Sequence, residues 1–469
     1  MNELTLAQRL ARYSTTLRFE DLPESTVHEV KRRFIDSLGC AMGALEGEPG
    51  TIARNLARTV SSTESATVFG TSHESSPEWA AFSNGVHIRY LDYNDTYLSK
   101  EPAHPSDNIA AILAVAEPRK THGRDIITAT ALAYEIQCRL CDAQSIRARG
   151  WDHVTYGSFS SSLAAGKILG LDEVGLVHAQ GLAGTPNNAM RQTRVGELSM
   201  WKGCAFANAS RNGVFAARLA AAGMTGPAPI FEGEMGFWKQ VSGAFDPDVE
   251  SFGGDGHPFM IDQTYIKYYP AEYHSQSAID AALELRKQIW PRIDDGRQTT
   301  DDELREVVAI TIDSFDAAVD IIGGEPEKWR PKSRETADHS LPYCVAVALV
   351  DGRVWMEQFE ESRFTEERLL DLVSRVSVLR DAELSARYPE GIPNRITVLM
   401  RSGEKFIKEV TYPVGHARNP MTDEQVERKF RDLAGPVLPD STIREALDRF
   451  WNLDSETDIG GLMKLFAVE

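Results

Sequence analysis

DIITATALAYEIQCRL, residues 125–140, decides the fold class. Its apolar side chains recur at steps of three and four residues, the period of a helix and not of a strand. Alanine and leucine dominate it, and both are strong helix formers. The same texture runs through Glu29 to Met42, Asn108 to Ala116 and Ser158 to Leu169. It continues in AFANASRNGVFAARLAAA, residues 205–222, where alanines let helices approach closely. Several of these segments are apolar nearly all round, as expected in the interior of a large bundle.

The texture changes after about Lys267. EVVAITI (306–312) is β-branched and alternating and reads as a strand. RITVLM (395–400) and KFIKEV (405–410) flank Arg401-Ser402-Gly403-Glu404 as a hairpin. Helical patterns lie between these strands, at Tyr343 to Val350 and Glu366 to Val378. From Asp423 the chain is helical again, with EQVERKF placing charged and apolar residues at helical spacing. The expected fold is mostly α: a large all-helical domain over 1–267, completed by 411–469, and a smaller α/β domain over 268–410. No repeat or low-complexity tract interrupts this plan.

A chain of 469 residues is too long for one simple core, which agrees with two domains. Hydrophobic residues at 42% and charged residues at 25% are ordinary for a soluble globular protein, so disorder is not expected. The formal net charge of −19 repels nucleic acid and anionic membrane, and neither is expected as a partner. It also repels polyanionic substrates, so an enzyme for carboxylates needs a local basic pocket. The start, MNELTLAQRLARYSTTLRFEDL, has no continuous apolar core, so no secretory signal is expected. No stretch approaches the ~18 uninterrupted apolar residues of a membrane span. Five scattered cysteines fit a reducing cytoplasm better than a disulfide framework.

The densest polar constellation is RYLDYNDTYLSKEPAHPSDN, residues 89–108. It holds Asp92, Asp95, Thr96, Lys100, Glu101, His104 and Asp107 between two apolar helices, where sites tend to sit. Three readings are open. Asp92 or His104 acts in proton transfer; or the stretch is a solvated loop in which Ser106 or Asp107 caps the next helix; or Asp92 and Asp95, on one helical face, bind a metal with His104. In GWDHVTYGS, His153 is either a structural residue or a catalyst. Arg191, Arg194, Lys202 and Arg211 follow, with Lys202 at the start of an alanine-rich helix whose amides favour anions. YIKYYPAEYHSQSAID brings Lys267, Glu272 and His274 to the apparent domain junction, and SRETADHSLPYCVAVAL brings Asp338, His339 and Tyr343 to a helix start. A tyrosine hydroxyl there donates to an oxyanion, or the ring packs in the core. Cys138-Arg-Leu-Cys141 lacks the further cysteines of an iron–sulfur site and reads as packing. Gly253-Gly254-Asp255-Gly256 lacks the frame of a phosphate loop and reads as a flexible turn.

FIDSLGCAMGA, LDYNDTYLSKEPAHPSDN, GWDHVTYGSFSSSLAAGKILGL, KYYPAEYHSQSAID, SRETADHSLPYCVAVAL and YPEGIPNRITV with VTYPVGHARNPMT occur in this order along nearly the whole chain. Together they resemble the MmgE/PrpD family, whose best-known members are 2-methylcitrate dehydratases. The resemblance implies a helical domain with a smaller α/β lid, a site between them, a homodimer, and neither metal nor organic cofactor. It implies catalytic roles for His104, His153, Asp92 and Tyr343. Substrate-binding roles fall to Thr96, Lys202, Lys267 and His274. The implied reaction is dehydration of a small tricarboxylate, with 2-methylcitrate the leading substrate. The family also includes cis-aconitate decarboxylases, and an epimerase needs only the proton-transfer half of the chemistry. PAEYHSQ is closer to the dehydratase pattern. Pro102 and Ala103 depart from the tryptophan-glycine pair that precedes the histidine in familiar dehydratases. A carboxylate-binding protein on the same scaffold is the non-enzymatic alternative.

Overall fold

The computed structural model describes residues 4–196, 198–291 and 297–468. Its contacts divide the chain into two units, Met1–Ile266 with Thr422–Glu469, and Lys267–Met421. The first unit is helical except for a short antiparallel pair, Ala66–Thr67 with Glu74–Ser75, so it is not all-helical as expected, and the second carries a four-stranded mixed sheet. Among the described residues no helix is long and apolar enough to cross a membrane.

In the first unit, α1 (Leu6–Thr16) starts at a capping box in which the Thr5 hydroxyl accepts from the Gln8 amide. Among the helices that follow are α2 (Glu24–Gly43), α3 (Pro77–Tyr90), α4 (Ile109–Ala116), α5 (Gly123–Ala143), α6 (Val154–Ile168) and α7 (Trp201–Ala221). The 125–140 stretch thus lies wholly inside α5. All of α4 is buried, which explains an apolar run with no polar face. Small residues from α3, α4, α6 and α7 form one shared core, with Ala80, Ala81, Ala111, Ala114, Ala165, Val214 and Ala217 in contact. Backbones come close at these crossings. A Cβ on Gly213 of α7 would sit 2.6 Å from the Ser161 Cβ on α6. Some of the buried polar groups left between helices pair with one another: Ser160 and Ser161 donate to Asn108 Oδ1 at 2.8 and 2.7 Å, and Asn108 donates to Gln137 at 2.6 Å.

The second unit is built on α8 (Gln276–Ile289), β1 (Val307–Ser314), α9 (Leu341–Asp351), α10 (Glu367–Val373), β2 (Val376–Arg380), β3 (Asn394–Met400) and β4 (Lys405–Val410). The sheet order is β2–β1–β3–β4. β1 pairs parallel with β2 and antiparallel with β3, and β3–β4 is the expected hairpin. α8 packs on β3 and β4 and against α9. A bulge between Val307 and Ala309 re-registers β1, so that Val307 and then Ile310, Ile312 and Ser314 point inward. One expectation is corrected here. The helix expected over Glu366 to Val378 ends at Val373, and VSVLR is a strand, with Ile310 opposite Val376. The apolar residues of a short helix and a β-branched strand lie end to end, and a helical window reads across the join.

The tail helix α11 (Asp423–Ala434) packs against α2 in the first unit. Its Lys429 ammonium lies 2.6 Å from Asp36 of α2, donates to the Tyr93 carbonyl at 2.7 Å and sits 3.5 Å from the Tyr93 ring centre. Arg32 bonds Asp423 at the start of α11, at 2.5 Å. The backbone after Asp92 is therefore held by the tail.

Candidate active site

Helix α3 ends at Tyr90, and Asp92 lies in the left-handed region at φ 50°. This turns the chain out of the helix and corrects the helical-face expectation: Asp92 and Asp95 point into different networks. Asp95 accepts from the Ser106 hydroxyl at 2.6 Å and from the Tyr134 hydroxyl at 2.6 Å, so its carboxylate anchors the segment. Asp92 is bonded by Arg89 and by the Lys202 ammonium, the latter at 3.2 Å. The three side chains do not form the metal-ligand set considered above. Nor does Ser106 or Asp107 cap α4, because Pro105–Asn108 is a short 3₁₀ turn and Ser106 is bonded to Asp95. Glu101 is structural as well, accepting from the Ser145 hydroxyl and the Ile146 amide, both at 2.8 Å.

His104 has its protonation state set by its partners. Arg89 donates to Nε2 at 2.9 Å, and a guanidinium has only donors, so Nε2 is a lone pair. Nδ1 lies 2.8 Å from the Asp95 carbonyl, which can only accept, so the proton is on Nδ1. His104 is the neutral Nδ1–H tautomer. Thr96 is held on both sides by main-chain bonds to Tyr265, at 2.8 and 2.9 Å, and its hydroxyl donates to the Ala103 carbonyl at 3.2 Å.

His153 immediately precedes α6, and its ring centre is 5.8 Å from that of His104. Nδ1 lies 3.0 Å from the Asp152 carboxylate, which also meets Arg194 at 2.9 Å. Burial, then the Arg194 charge, pushes the His153 pKa below its ordinary value against the pull of Asp152. Its Nε2 is buried with no hydrogen-bond partner among the described residues. The first unit thus joins Lys202, Asp92, Arg89, His104 and His153 in one connected cluster. The dense 89–108 motif pointed to the segment, but Arg89, Asp152 and Arg194 received no role from the sequence. Of the three, only Asp152 adjoins a candidate histidine in the sequence, and Arg89 and Arg194 reach theirs through the fold.

The second unit carries its own cluster. His274 Nδ1 lies 2.6 Å from Glu272, and the His274 amide donates to the same carboxylate at 2.8 Å. Burial alone would raise the Glu272 pKa, yet His274, His339 and Lys267 together lower it to about 2. The Glu272 amide donates to the Asp338 carbonyl at 2.9 Å, and Asp338 in turn bonds His339. Asn394 at the start of β3 donates to the His274 carbonyl at 2.9 Å and fixes the segment on the sheet. Lys267 is buried. Tyr343, in the first turn of α9, is fully buried and donates its hydroxyl proton to the Gln358 carbonyl. The Cys138–Cys141 pair behaves as packing: both thiols are free and buried on α5, and burial raises both. Gly254, Asp255 and Gly256 form a turn with φ of 110°, 49° and 89°.

Residues 8–250 match the model of the MmgE/PrpD N-terminal domain and residues 269–453 that of the MmgE/PrpD C-terminal domain. The chain is 29% identical over 415 residues to a 2-methylcitrate dehydratase of Escherichia coli (strain K12), covering 82% of this chain and 80% of that protein. A 2-methylcitrate dehydratase of Cupriavidus necator is 30% identical over 424 residues, with the same coverage. A cis-aconitate decarboxylase of Homo sapiens is 28% identical over 477 residues, covering 96% of this chain and 92% of that protein.

Proposed function

The chain belongs to the MmgE/PrpD family, and on that premise we propose that it is a carbon–oxygen lyase that dehydrates a small tricarboxylate, 2-methylcitrate first, by acid/base chemistry of its own side chains. The observation that carries this reading is the buried Lys202–Asp92–Arg89–His104 network beside His153. In a chain of net charge −19 it places two buried cations, Lys202 and Arg89, in one network with His104, and cations so placed favour a carboxylate ligand.

Dehydration removes a proton from the carbon next to a carboxylate and expels hydroxide. The proton needs a positioned base, the hydroxide leaves more readily as water, and each such assistance is worth roughly 10²- to 10⁴-fold in rate. His153 and His104 serve proton transfer. Lys202 and Lys267 hold substrate carboxylates, with Thr96 and His274 completing the binding groups. Asp92 keeps Lys202 and Arg89 in place. Tyr343 supports the segment that begins α9, because its proton already goes to a backbone carbonyl. The smaller unit acts as the lid, and the enzyme works as a cytoplasmic homodimer in propionate breakdown.

The test follows alkene formation by ultraviolet absorbance on citrate, 2-methylcitrate and cis-aconitate, with carbon dioxide measured in parallel. Alkene from 2-methylcitrate without carbon dioxide supports the dehydratase. Carbon dioxide from cis-aconitate makes the protein a decarboxylase instead, a reading favoured by the nearly full-length match to that human enzyme. Binding of tricarboxylates without turnover of any would reduce it to a carboxylate-binding protein.

A further inference from the structure

Two histidines occupy the first unit's cluster, and their surroundings differ in a way that separates their roles. The His104 Nε2 lone pair already receives an N–H of Arg89 at 2.9 Å. To take a proton there, His104 must break that bond and become a cation against a guanidinium. His153 is free of that obstacle. Its Nε2 is buried and has no partner among the described residues, while Nδ1 lies 3.0 Å from Asp152 Oδ1. A carboxylate only accepts, so its presence at Nδ1 keeps the ring proton on that side and the lone pair on Nε2.

Asp152 is itself held from several directions. Arg194 Nε lies 2.9 Å from Oδ2 and 3.0 Å from Oδ1, so one guanidinium group spans both oxygens. The Val154 amide donates to Oδ1 at 3.3 Å, and the Asp152 amide donates to the Ala189 carbonyl at 2.8 Å. Its side chain is fully buried. An acid so placed has no access to solvent and no freedom to turn, which suits an orienting group and not a reacting one.

We propose that Asp152, clamped by Arg194, is the positioning residue that fixes His153 as the Nδ1–H tautomer and leaves its Nε2 lone pair to take the substrate proton. This rests on the dehydratase reading above and deepens it. The C–H pair becomes the new C=C bond as the C–O bond breaks. The proton goes to His153 Nε2, and the departing hydroxide takes up a proton from solvent and leaves as water. His153 then returns its proton to solvent, so the net change is loss of one water. The charged and titratable groups around His153 are Asp152 beside it, Arg194 from the 191–194 turn, and His104 and Glu101 from the 89–108 segment. Arg194 disfavours the imidazolium and Asp152 favours it, in addition to the effect of burial.

The test compares Asp152→Asn and Arg194→Gln with the wild-type enzyme. Asp152→Asn is expected to lower kcat at least about 100-fold with KM changed by no more than about threefold, since Asp152 orients and does not bind substrate. The acidic limb of kcat/KM should move to lower pH in Asp152→Asn and to higher pH in Arg194→Gln. A general loss of structure would not move the two limbs in opposite directions. Ring ¹⁵N shifts, assigned with His153→Gln, should report Nδ1–H in the wild type and a shift toward Nε2–H in Asp152→Asn. They do so with no substrate present, so they remain decisive even if no tricarboxylate is turned over, an outcome that would refute the dehydratase reading alone. Wild-type kcat in Asp152→Asn, or limbs and ring shifts unchanged in both variants, would overturn the proposal.

Discussion

Replacing Lys429 with Met tests how strongly the tail helix is bound into the first unit. Lys429 is 3% exposed and Asp36 is fully buried, and their polar atoms lie 2.6 Å apart. Among the described residues Asp36 has no hydrogen-bonded partner beyond this ion pair, so the substitution leaves a buried carboxylate with only the charge of Arg33 to offset it. Breaking one side of a buried pair costs about 3–5 kcal/mol. The lost contact with the Tyr93 ring, at 3.5 Å, adds about 0.5–2 kcal/mol. A loss of roughly 3.5–7 kcal/mol is therefore expected at pH 7.5, read from urea unfolding followed by far-ultraviolet circular dichroism. The pH dependence has a definite sign. Burial raises the Asp36 pKa in the folded protein and Lys429 opposes it, so removal of Lys429 raises it further. The folded variant then binds a proton that the unfolded chain does not, and its deficit shrinks as the pH falls toward the ordinary carboxylate range. Asp36→Leu combined with Lys429→Met should recover much of the loss, since apolar residues replace a desolvated pair. A single variant within about 0.5 kcal/mol of wild type at pH 7.5, or a deficit independent of pH, would refute this reasoning. Because Lys429 also holds the Tyr93 carbonyl, the same variant should lose activity at urea concentrations well below its unfolding midpoint.

Further outcomes are expected elsewhere. Glu272 has a folded pKa lowered from 4.5 to about 2, so its stabilisation is fully present above about pH 4.5 and is lost as the pH falls toward 2. Glu272→Gln should remove about 3 kcal/mol at pH 6 and show a smaller difference from wild type near pH 3, measured by urea midpoints. Asp107 behaves in the opposite sense. Burial, only partly offset by Arg89, raises its pKa from 3.8 to about 7, so its charge is destabilising above pH 7 and relieved below it. Asp107→Asn should flatten the stability profile between about pH 4 and 7, as followed by thermal unfolding. A Cβ on Gly123 would fall 1.6 Å from the Leu453 carbonyl oxygen. Gly123→Ala should therefore lower the melting temperature by several degrees, while a control such as Gly203→Ala, where the added Cβ meets only Tyr90 at 3.5 and 3.8 Å, should change it little. His104→Ala should lower kcat by roughly 10²- to 10⁴-fold in the tricarboxylate assay with the melting temperature little changed.

The helices and the strands β1, β3 and β4 were legible because apolar periodicity is local: each residue's place on its element follows from near neighbours. The parallel strand β2 was not, because five residues beside a short helix carry too little pattern to separate the two periods. The same divide runs through the candidate site. Sequence alone placed Asp92, His104, His153, Lys202 and His274 in polar motifs and, through those motifs, in a family. It did not determine which of them face one another. Lys202 reaches Asp92 across 110 residues, and Lys429 reaches Tyr93 across 336. Such pairings depend on how packed helices bring distant side chains together, and no spacing along the chain encodes them. Burial then decides the chemistry. Of the carboxylates at Asp92, Asp95 and Asp152, the first meets Lys202, the second anchors Ser106 and Tyr134, and the third meets His153 and Arg194. Residue type was fixed by the sequence, but charge state and role follow from the partners and the dielectric that only the tertiary structure supplies.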